Sequence, residues 1–437
     1  MKLKVRNLAK IKSADIIVDG ITVIAGENNT GKSTIGKTLF SLFNSISDIE
    51  YKINRQRVKE IEESCRSFLK NHIISGDGRR SIFPRIHVTA RNLAARISRI
   101  LEDNDKIEAG EIYEIVEQTL QNLGNHIEQL DVAEEFAEGM TKKIMEILDL
   151  PAKVIIQEIL SRFFNQIFHG QINTLKDADQ ETELELEVKG KKFEVAFNCN
   201  ECSRYATEFT ILNNAIYIDN PFVVDQLGGW HELNAMEQHL RELLTDSSGE
   251  GLMDGIIGSV LAKEKMTEIY RALEEVIEGQ IVEKEDEFYL KEEGYQKPVS
   301  VSNLSTGMKS FVIIKMLVEK GLIKEKDVLI LDEPEIHLHP QWQVVYAEVI
   351  VLLQKYFDLC VVVTTHSPYF LDAINLFSIK HGSDKKVNYY LASLEDGSAK
   401  MECVTGDIDM IYKKMSSPIQ MLDTLRDELK RSDGDRL

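Results

Sequence analysis

The sequence predicts an α/β protein in which a lobe built on a mixed β-sheet is interrupted by a mainly helical insertion. Short apolar runs typical of buried strands lie near both ends of the chain, at residues 21–25, 328–331 and 360–365. Between them, residues 46–178 mostly repeat apolar side chains at helical spacing. A chain of 437 residues also exceeds one typical domain. We therefore expect the sheet-containing lobe to be discontinuous in sequence.

The loop after the first apolar run has the composition of a phosphate-binding loop. Residues 26–34 read Gly-Glu-Asn-Asn-Thr-Gly-Lys-Ser-Thr and fit the pattern GxxxxGK(S/T). Glycines let the backbone curl so that its N–H groups face phosphate oxygens. Lys32 is expected to contact the β- and γ-phosphates, and Ser33 to bind Mg²⁺. The predicted nucleotide-binding residues are Gly26, Asn28, Asn29, Thr30, Gly31, Lys32, Ser33 and Thr34.

Two carboxylates follow the apolar run Val328–Leu331. Apolar residues throughout such a strand indicate burial on both faces of a parallel sheet, so charge appears only where the strand emerges. Asp332 is placed to hold Mg²⁺, and Glu333 to orient and deprotonate an attacking water. A second buried run, Cys360–Thr365, ends at His366, a side chain able to sense or polarise a γ-phosphate.

These motifs, in this order, resemble those of the ABC-type ATPases, and more narrowly those of the SMC, RecF and OLD branch. Residues 304–308 are similar to the LSGGQ signature of that family, with two departures from it. Residues 333–340 resemble the extended Walker B motif and D-loop of OLD-like and RecF-like members. The resemblance covers about residues 1–45 and 180–380, and it implies an ABC-ATPase (P-loop) lobe.

The resemblance implies an ATP- and Mg²⁺-dependent ATPase that works as a homo-oligomer. In the family, the signature helix of a second subunit closes the nucleotide site, which here would bring Ser305 and the Gly307 N–H to the γ-phosphate. Family members also bind the metal through a glutamine located between the Walker A and signature motifs, and Gln226 is the candidate. ATP sandwiched in this way holds two ATPase lobes together until hydrolysis releases them.

ATPases of this build that lack a nuclease domain resemble those of the anti-phage systems Septu and PARIS, in which a separate nuclease or toxin executes the response. The leading functional prediction is therefore a nucleotide-gated switch that controls a separate effector. One alternative is a RecF-like repair ATPase that binds DNA itself. Another is an OLD-type ATP-dependent nuclease that uses Asp407 and Asp409.

The charge balance limits how the protein can bind nucleic acid. Its formal net charge of −20 disfavours a protein that coats nucleic acid along its whole surface, because a net acidic field repels phosphates. Residues 79–99, however, contain no acidic residue and fit a nucleic-acid site or a docking face for an acidic partner. The alternative is that these arginines pair with glutamates of neighbouring helices, such as Glu60–Glu63. The basic side chains are Arg79, Arg80, Arg85, His87, Arg91, Arg96 and Arg99.

Composition and small motifs bound the location and the metal chemistry. No apolar run approaches the about eighteen residues expected of a membrane span. The chain enters a strand pattern at once, which argues against a signal peptide, and its five cysteines fit a reducing cytoplasm. Cys199 and Cys202 form a single CxxC, for which a hairpin turn is favoured over a zinc site. His337 and His339 favour a dimer-contact loop over a metal pair.

These patterns also predict domain boundaries. The ATPase lobe is expected to comprise residues 1–45, 179–230 and 279–400. The remaining parts are the helical insertion at 46–178, a helical segment at 231–278 and a C-terminal segment at 401–437.

Overall fold

The computed structural model describes residues 1–72, 79–103, 107–121, 130–174, 176, 180–211, 213–228, 232–245, 266–285 and 287–433. The chain forms two compact units. The first comprises Met1–Ser47 and Leu160–Leu437, and the second comprises Asp48–Ile159. The helical insertion expected from the sequence, residues 46–178, extends further toward the C terminus than this second unit.

The first unit contains both strands and helices, whereas the described elements of the second unit are all helices. The strands are β1 Lys2–Leu8, β2 Ile11–Ile17, β3 Ile21–Gly26, β4 Thr182–Val188, β5 Lys191–Asn198, β6 Glu201–Thr207, β7 Ala215–Ile218, β8 Gln280–Lys284, β9 Glu287–Lys291, β10 Val299–Ser300, β11 Val328–Asp332, β12 Cys360–Thr365, β13 Val387–Glu395 and β14 Ser398–Cys403. The helices are α1 Lys32–Ile46, α2 Ile49–His72, α3 Arg79–Asp103, α4 Ala109–Gln121, α5 Leu130–Leu148, α6 Ala152–Phe168, α7 Ala235–Thr245, α8 Thr306–Glu319, α9 Pro340–Phe357, α10 Pro368–Lys380, α11 Asp409–Met415 and α12 Ser417–Asp433. Residues 266–274 are also helical, whereas residues 246–265 of the predicted helical segment lie outside the described residues.

An 11-stranded mixed sheet in the order β6-β5-β4-β1-β2-β14-β13-β3-β12-β11-β7 forms the centre of the first unit. The strands from β6 to β2 pair antiparallel, whereas β13, β3, β12, β11 and β7 all run parallel. Every residue of β3 and β7 is buried, as expected for parallel strands covered on both faces. The mixed α/β fold with a helical insertion is therefore confirmed.

The parallel strands end along one edge of the sheet, and three helices start there. One hydrophobic cluster joins these strands to α8, α9 and α10. Side chains cap the first turns of all three helices: Ser305 caps α8, His339 caps α9 and Ser367 caps α10. Such caps satisfy backbone N–H groups that have no partner inside the helix. The polar residues of this edge are consequently held by regular, capped elements.

The CxxC motif has the structure that the sequence favours. Asn198 pairs with Glu201, so Cys199 and Asn200 form a two-residue hairpin turn with φ angles of 50° and 65°. All five cysteines are free, and Cys202 is buried while Cys199 is exposed. Within the described ranges, no helix is long and apolar enough to cross a membrane.

The second unit has its own core, formed by helices α2 to α5. The helical spacing noted for residues 46–178 is visible in α4, where Ile112, Ile115, Val116 and Leu120 are buried. Amphipathic helices that share one such core can form a compact body. This unit carries the basic stretch 79–99 on α3.

The basic face of α3 is only partly bonded within the chain. Arg91 and Arg99 are exposed and form no ion pair with another described residue. Arg96 donates hydrogen bonds to Gln118 Oε1 at 2.7 Å and Thr119 Oγ1 at 3.5 Å. The expected alternative, pairing with Glu60–Glu63, is therefore wrong for these three arginines.

The side chains of the other basic residues bear less on this question. Those of Arg79, Arg80 and Arg85 lie outside the described residues, and His87 is exposed. Glu62, within the acidic group expected to pair with α3, instead pairs with Arg66 of its own helix.

We expect the double substitution Arg91→Glu/Arg99→Glu to leave the stability of the protein almost unchanged. Neither guanidinium has a bonded partner to lose among the described residues, so the melting temperature should stay within about 2 °C of the wild type, as is usual for surface changes. Arg96→Glu is the matched control, and it should melt at a lower temperature because it loses the Gln118 contact. Thermal denaturation followed by circular dichroism measures both. A fall of several degrees in the double variant would show that these arginines hold the unit together.

Candidate functional site

The phosphate-binding loop joins the carboxyl end of β3 to the first turn of α1. Its backbone has positive φ angles at Gly26 (157°), Asn29 (65°) and Gly31 (82°). A Cβ atom on Gly26 would lie 2.4 Å from the Ala392 carbonyl oxygen, so no larger residue fits without movement of β13. Thr30 Oγ1 donates to the Glu27 carbonyl at 2.7 Å and closes the loop.

Lys32 is buried beneath this loop, with its side chain 3% exposed. Its ammonium donates to the carbonyl oxygens of Gly26 at 3.0 Å and Glu27 at 2.9 Å. It also lies 3.5 Å from Glu333 Oε1. The ammonium is thereby held between the loop and the carboxyl end of β11, where it could form a charge-assisted hydrogen bond to a bound phosphate.

Asp332 ends β11 and receives hydrogen bonds from three different elements. Ser33 Oγ donates to its Oδ1 at 3.0 Å, and Tyr217 OH donates to its Oδ2 at 2.7 Å. Thr364 Oγ1 also donates to Oδ1. Tyr217 and Thr364 reach it because β7 and β12 flank β11 in parallel register. Burial, and then the charge of Asp332, raise the pKa of Tyr217 well above its ordinary value, so the phenol remains a donor.

The Glu333 carboxylate lies between two basic side chains. Its Oε2 is 3.0 Å from His366 Nε2, and its Oε1 faces Lys32. The hydrogen bond from His366 is the main cause that lowers the pKa of Glu333, and the same bond raises the pKa of His366. Glu333 has a φ of 53°, and its N–H donates to Thr364 O at 3.1 Å. A strained backbone thus aims the carboxylate at the edge of the sheet.

Ser33 and Asp332 together fit a magnesium ion. A hydroxyl and a carboxylate are the hard oxygen ligands that Mg²⁺ prefers. Gln226 ends a 3-10 helix, Pro221–Gln226, that follows β7. Its buried Oε1 has no hydrogen-bond partner among the described residues, which fits an oxygen that binds an ion.

The residues similar to an ABC signature lie at the start of α8. Ser305 is exposed, and its Oγ accepts from Met308 N at 3.4 Å. Gly307 is buried, and a Cβ atom there would lie 3.0 Å from both the His337 carbonyl oxygen and the Trp342 ring. The glycine therefore lets α8 pack closely against the segment between β11 and α9. No hydrogen bond joins Ser305 or Gly307 to the described phosphate-binding loop of the same chain.

A buried ion pair connects the signature helix to the segment that carries Gln226. Lys309 on α8 lies 2.6 Å from Asp225 Oδ1, donates to Ser302 O at 3.0 Å and is almost fully enclosed. The ring of Phe222 lies 5.4 Å from the same ammonium. Breaking such a pair leaves an uncompensated buried charge, so the two segments are held to each other.

Several residues of this site were not predicted from the sequence. Tyr217 and Thr364 are polar positions in otherwise apolar strands, and that interruption of the pattern is the available signal. Glu335 repeats the carboxylate of Glu333 two positions later, but its role depends on residues distant in the chain. The Lys309–Asp225 pair has no sequence signal that distinguishes it from other charged residues.

The remaining candidate metal ligands do not assemble. Asp407 and Asp409 are exposed around the start of α11. His339 Nδ1 accepts from Gln341 N at 3.4 Å as the cap of α9, and His337 contacts the ring of Phe222. Among the residues that the structure describes, no group of three or more His, Cys, Asp or Glu could hold a metal ion.

Comparison with known proteins identifies a family. The AAA ATPase domain matches residues 1–371, a range that contains Lys32, Asp332, Glu333 and His366. No curated protein matches the chain.

Similar solved structures include three SMC heads of low sequence identity. The SMC head domain from Thermotoga maritima is 12% identical, covers 92% of this chain and 98% of its own, and has a TM-score of 0.39. The Smc head domain of Pyrococcus furiosus, with an extended coiled coil and bound to the C-terminal domain of ScpA, is 12% identical, with coverages of 97% and 98% and a TM-score of 0.34. The Smc head domain of Pyrococcus yayanosii, with a coiled coil and joint, is 11% identical, with coverages of 95% and 99% and a TM-score of 0.38.

Proposed function

The chain belongs to the AAA ATPase domain family, and from this premise we propose that it is a Mg-ATP-hydrolysing switch in which the nucleotide closes two copies of the lobe on each other. The observation that carries the proposal is the contiguous set formed by Lys32, Glu333 and His366. The 3.5 Å and 3.0 Å contacts of Glu333 put its carboxylate between the Lys32 ammonium and the His366 imidazole, at the mouth of the phosphate-binding loop. A carboxylate in this place suits the activation of water beside a γ-phosphate.

Each residue has a distinct role in the proposed reaction. Lys32 and the loop N–H groups would bind the β- and γ-phosphates. Ser33, Asp332 and Gln226 would hold Mg²⁺, which when bound neutralises charge on the phosphate oxygens. Glu333 would orient the attacking water and accept its proton, and His366 would contact the γ-phosphate.

The contacts of Glu333 suggest how ATP would prepare the site. Lys32 and His366 both contact the Glu333 carboxylate, so in this arrangement they compete with an attacking water for its oxygens. An entering γ-phosphate would attract both basic side chains and loosen their hold on the carboxylate. The base would then become free only when substrate is present, which limits unproductive chemistry.

The proposed assembly places the exposed signature of one copy against the nucleotide of another. Ser305 is exposed at the N-terminus of α8, where the helix dipole favours an anion. Ile336, which is 57% exposed, and His337 lie on the neighbouring segment. A phosphate shared by two copies supplies the differential affinity needed to shift a monomer–dimer equilibrium. We propose that this equilibrium controls a separate effector, such as a nuclease or toxin in anti-phage defence.

The basic face of α3 supports a second candidate function, binding of nucleic acid as in a RecF-like ATPase. Arg91 and Arg99 are exposed and unpaired among the described residues, so they are available to phosphates. The net charge of −20 opposes such binding at long range, which confines it to this face. The double variant Arg91→Glu/Arg99→Glu, if it folds normally, should lose salt-sensitive binding to a labelled duplex while it retains ATP hydrolysis.

Glu333→Gln should abolish ATP hydrolysis while ATP binding persists. The amide cannot accept the proton of water, so the rate of phosphate release should fall about 10²-fold or more. The loop and Lys32 remain intact, and a fluorescent ATP analogue should bind about as well as it binds to the wild type. Lys32→Ala is the contrasting variant, since it should weaken binding itself. Hydrolysis by Glu333→Gln at the wild-type rate would contradict the assignment of the base.

Ser305→Arg should prevent ATP-dependent association of the lobes. In the Glu333→Gln background, the closed dimer should accumulate when ATP is added. Size-exclusion chromatography with light scattering detects it as a larger particle. Adding Ser305→Arg puts a bulky side chain where the γ-phosphate of the other copy would lie, so the larger particle should disappear although nucleotide still binds. The switch proposal fails if ATP leaves the mass of Glu333→Gln unchanged, or if the arginine variant associates equally well.

A further inference from the structure

Glu335 is a buried carboxylate two residues after Glu333, and the reaction outlined above assigns it no task. It is 4% exposed and lies in the segment Glu333–His339 between β11 and α9. Burying a carboxylate is unfavourable unless donors replace its water. Burial is indeed the main cause that raises the pKa of Glu335. The groups that donate hydrogen bonds to Glu335 must therefore offset the cost of burying it.

The donors to Glu335 all belong to Thr365, the last residue of β12, and to the two residues that follow it, His366 and Ser367. Glu335 Oε1 accepts hydrogen bonds from Thr365 Oγ1, from His366 N at 2.9 Å and from Ser367 N at 3.2 Å. One oxygen thus contacts three consecutive residues, and two of the donors are backbone N–H groups. Backbone donors that converge on a carboxylate fix the path of the chain rather than the position of one side chain.

A second set of contacts joins the same two segments through α9. Gln343 Nε2 donates to the carbonyl oxygens of Glu335 at 3.4 Å and Leu338 at 3.2 Å. Gln343 Oε1 accepts from Ser367 Oγ at 2.7 Å. Ser367 Oγ in turn accepts from Phe370 N at 3.2 Å and caps α10. The segment after β11 and the segment after β12 are therefore bonded to each other by two independent routes.

We propose that Glu335 is a positioning residue that holds the backbone of His366 and so sets the imidazole against Glu333. The side chain of His366 has one contact that matters for the reaction, the 3.0 Å approach of its Nε2 to Glu333 Oε2. An imidazole keeps such a contact only if the backbone that carries it is fixed. A displacement of about 1 Å at a reacting group can lower a rate by a factor of about 10².

Glu335 also links His366 to the exposed residues of the segment Glu333–His339, in which Glu335 itself lies. Ile336 and His337 follow Glu335 directly and are exposed. A change at His366 when phosphate enters is therefore transmitted to them through a bonded segment rather than a free loop. Glu335 deepens the proposed switch, on which this consequence rests, by joining the phosphate-contacting residue to a surface available to a second copy.

Two variants and two measurements test this role. Glu335→Ala removes the acceptor, whereas Glu335→Gln retains Oε1 as a carbonyl acceptor without the charge. Hydrogen–deuterium exchange of a peptide containing His366 and Ser367, in nucleotide-free protein, reports whether their N–H groups are still bonded. We expect exchange there to rise about tenfold or more in Glu335→Ala and to stay closer to the wild type in Glu335→Gln. Steady-state hydrolysis should show kcat reduced about tenfold or more in Glu335→Ala, with KM changed less than about threefold.

Glu348 provides the matched control. It is a carboxylate on α9, 17% exposed, that contacts Lys380 and His381 at the far end of α10. Glu348→Ala also breaks a carboxylate–histidine contact, yet it should leave both the exchange of the His366 peptide and kcat unchanged.

Three results would overturn the proposal. These are wild-type exchange in Glu335→Ala, a kcat for Glu335→Ala within about twofold of the wild type, and equal impairment of the Gln and Ala variants. If the wild-type protein does not hydrolyse ATP, the proposed function fails, but the exchange measurement still decides the role of Glu335. If Glu335→Ala does not fold, the exchange and kinetics of Glu335→Gln against the wild type and Glu348→Ala decide it, with near-wild-type values expected.

Discussion

The enclosed ammonium of Lys32 is the constraint on which the rest of the site depends. A buried cation is tolerated only when other groups replace its water, and here two loop carbonyls and the Glu333 carboxylate do so. Those acceptors belong to the loop after β3 and to the end of β11, with β12 between these strands in the sheet. The cation therefore fixes the distance between the phosphate-binding loop and the Glu333 carboxylate. It also leaves one partner, the carboxylate, that an entering phosphate can replace.

The sequence was informative wherever structure depends on neighbours in the chain. The apolar runs before Gly26 and Asp332 predicted buried parallel strands, and the structure has both. The helical spacing of residues 46–178 predicted a mainly helical insertion, and α2 to α6 lie in that range. Such patterns can be recognised in the sequence because the strand and helix periods span only a few residues. The sequence also indicated that Lys32, Glu333 and His366 share a site, and the structure brings these three side chains together.

The sequence did not predict the side-chain contacts between neighbouring strands of the sheet. Tyr217 bonds to Asp332 although 115 positions separate them, because β7 lies beside β11 in a particular register. Glu335 acquires its donors in a similar way, from Thr365 at the end of β12 and from the two residues that follow it, because β12 lies beside the strand that precedes Glu335. Likewise, helical periodicity buries one side of α3 but does not say whether an exposed arginine meets a glutamate. Lateral register and helix rotation are set by the packing of the whole unit.

The most direct test of this account is the pKa of His366, measured by NMR titration of its ring in the nucleotide-free protein and in Glu333→Gln. The Glu333 carboxylate raises the pKa of His366 above 6.5, while burial and Lys32 lower it. Replacing the carboxylate by a neutral amide removes the main stabilisation of the protonated ring. We expect the pKa of His366 to lie above the ordinary value of a histidine in the wild type and to be clearly lower in the variant. Equal pKa values in the two proteins would show that Glu333 is not held by His366, and would contradict the proposed arrangement of the site.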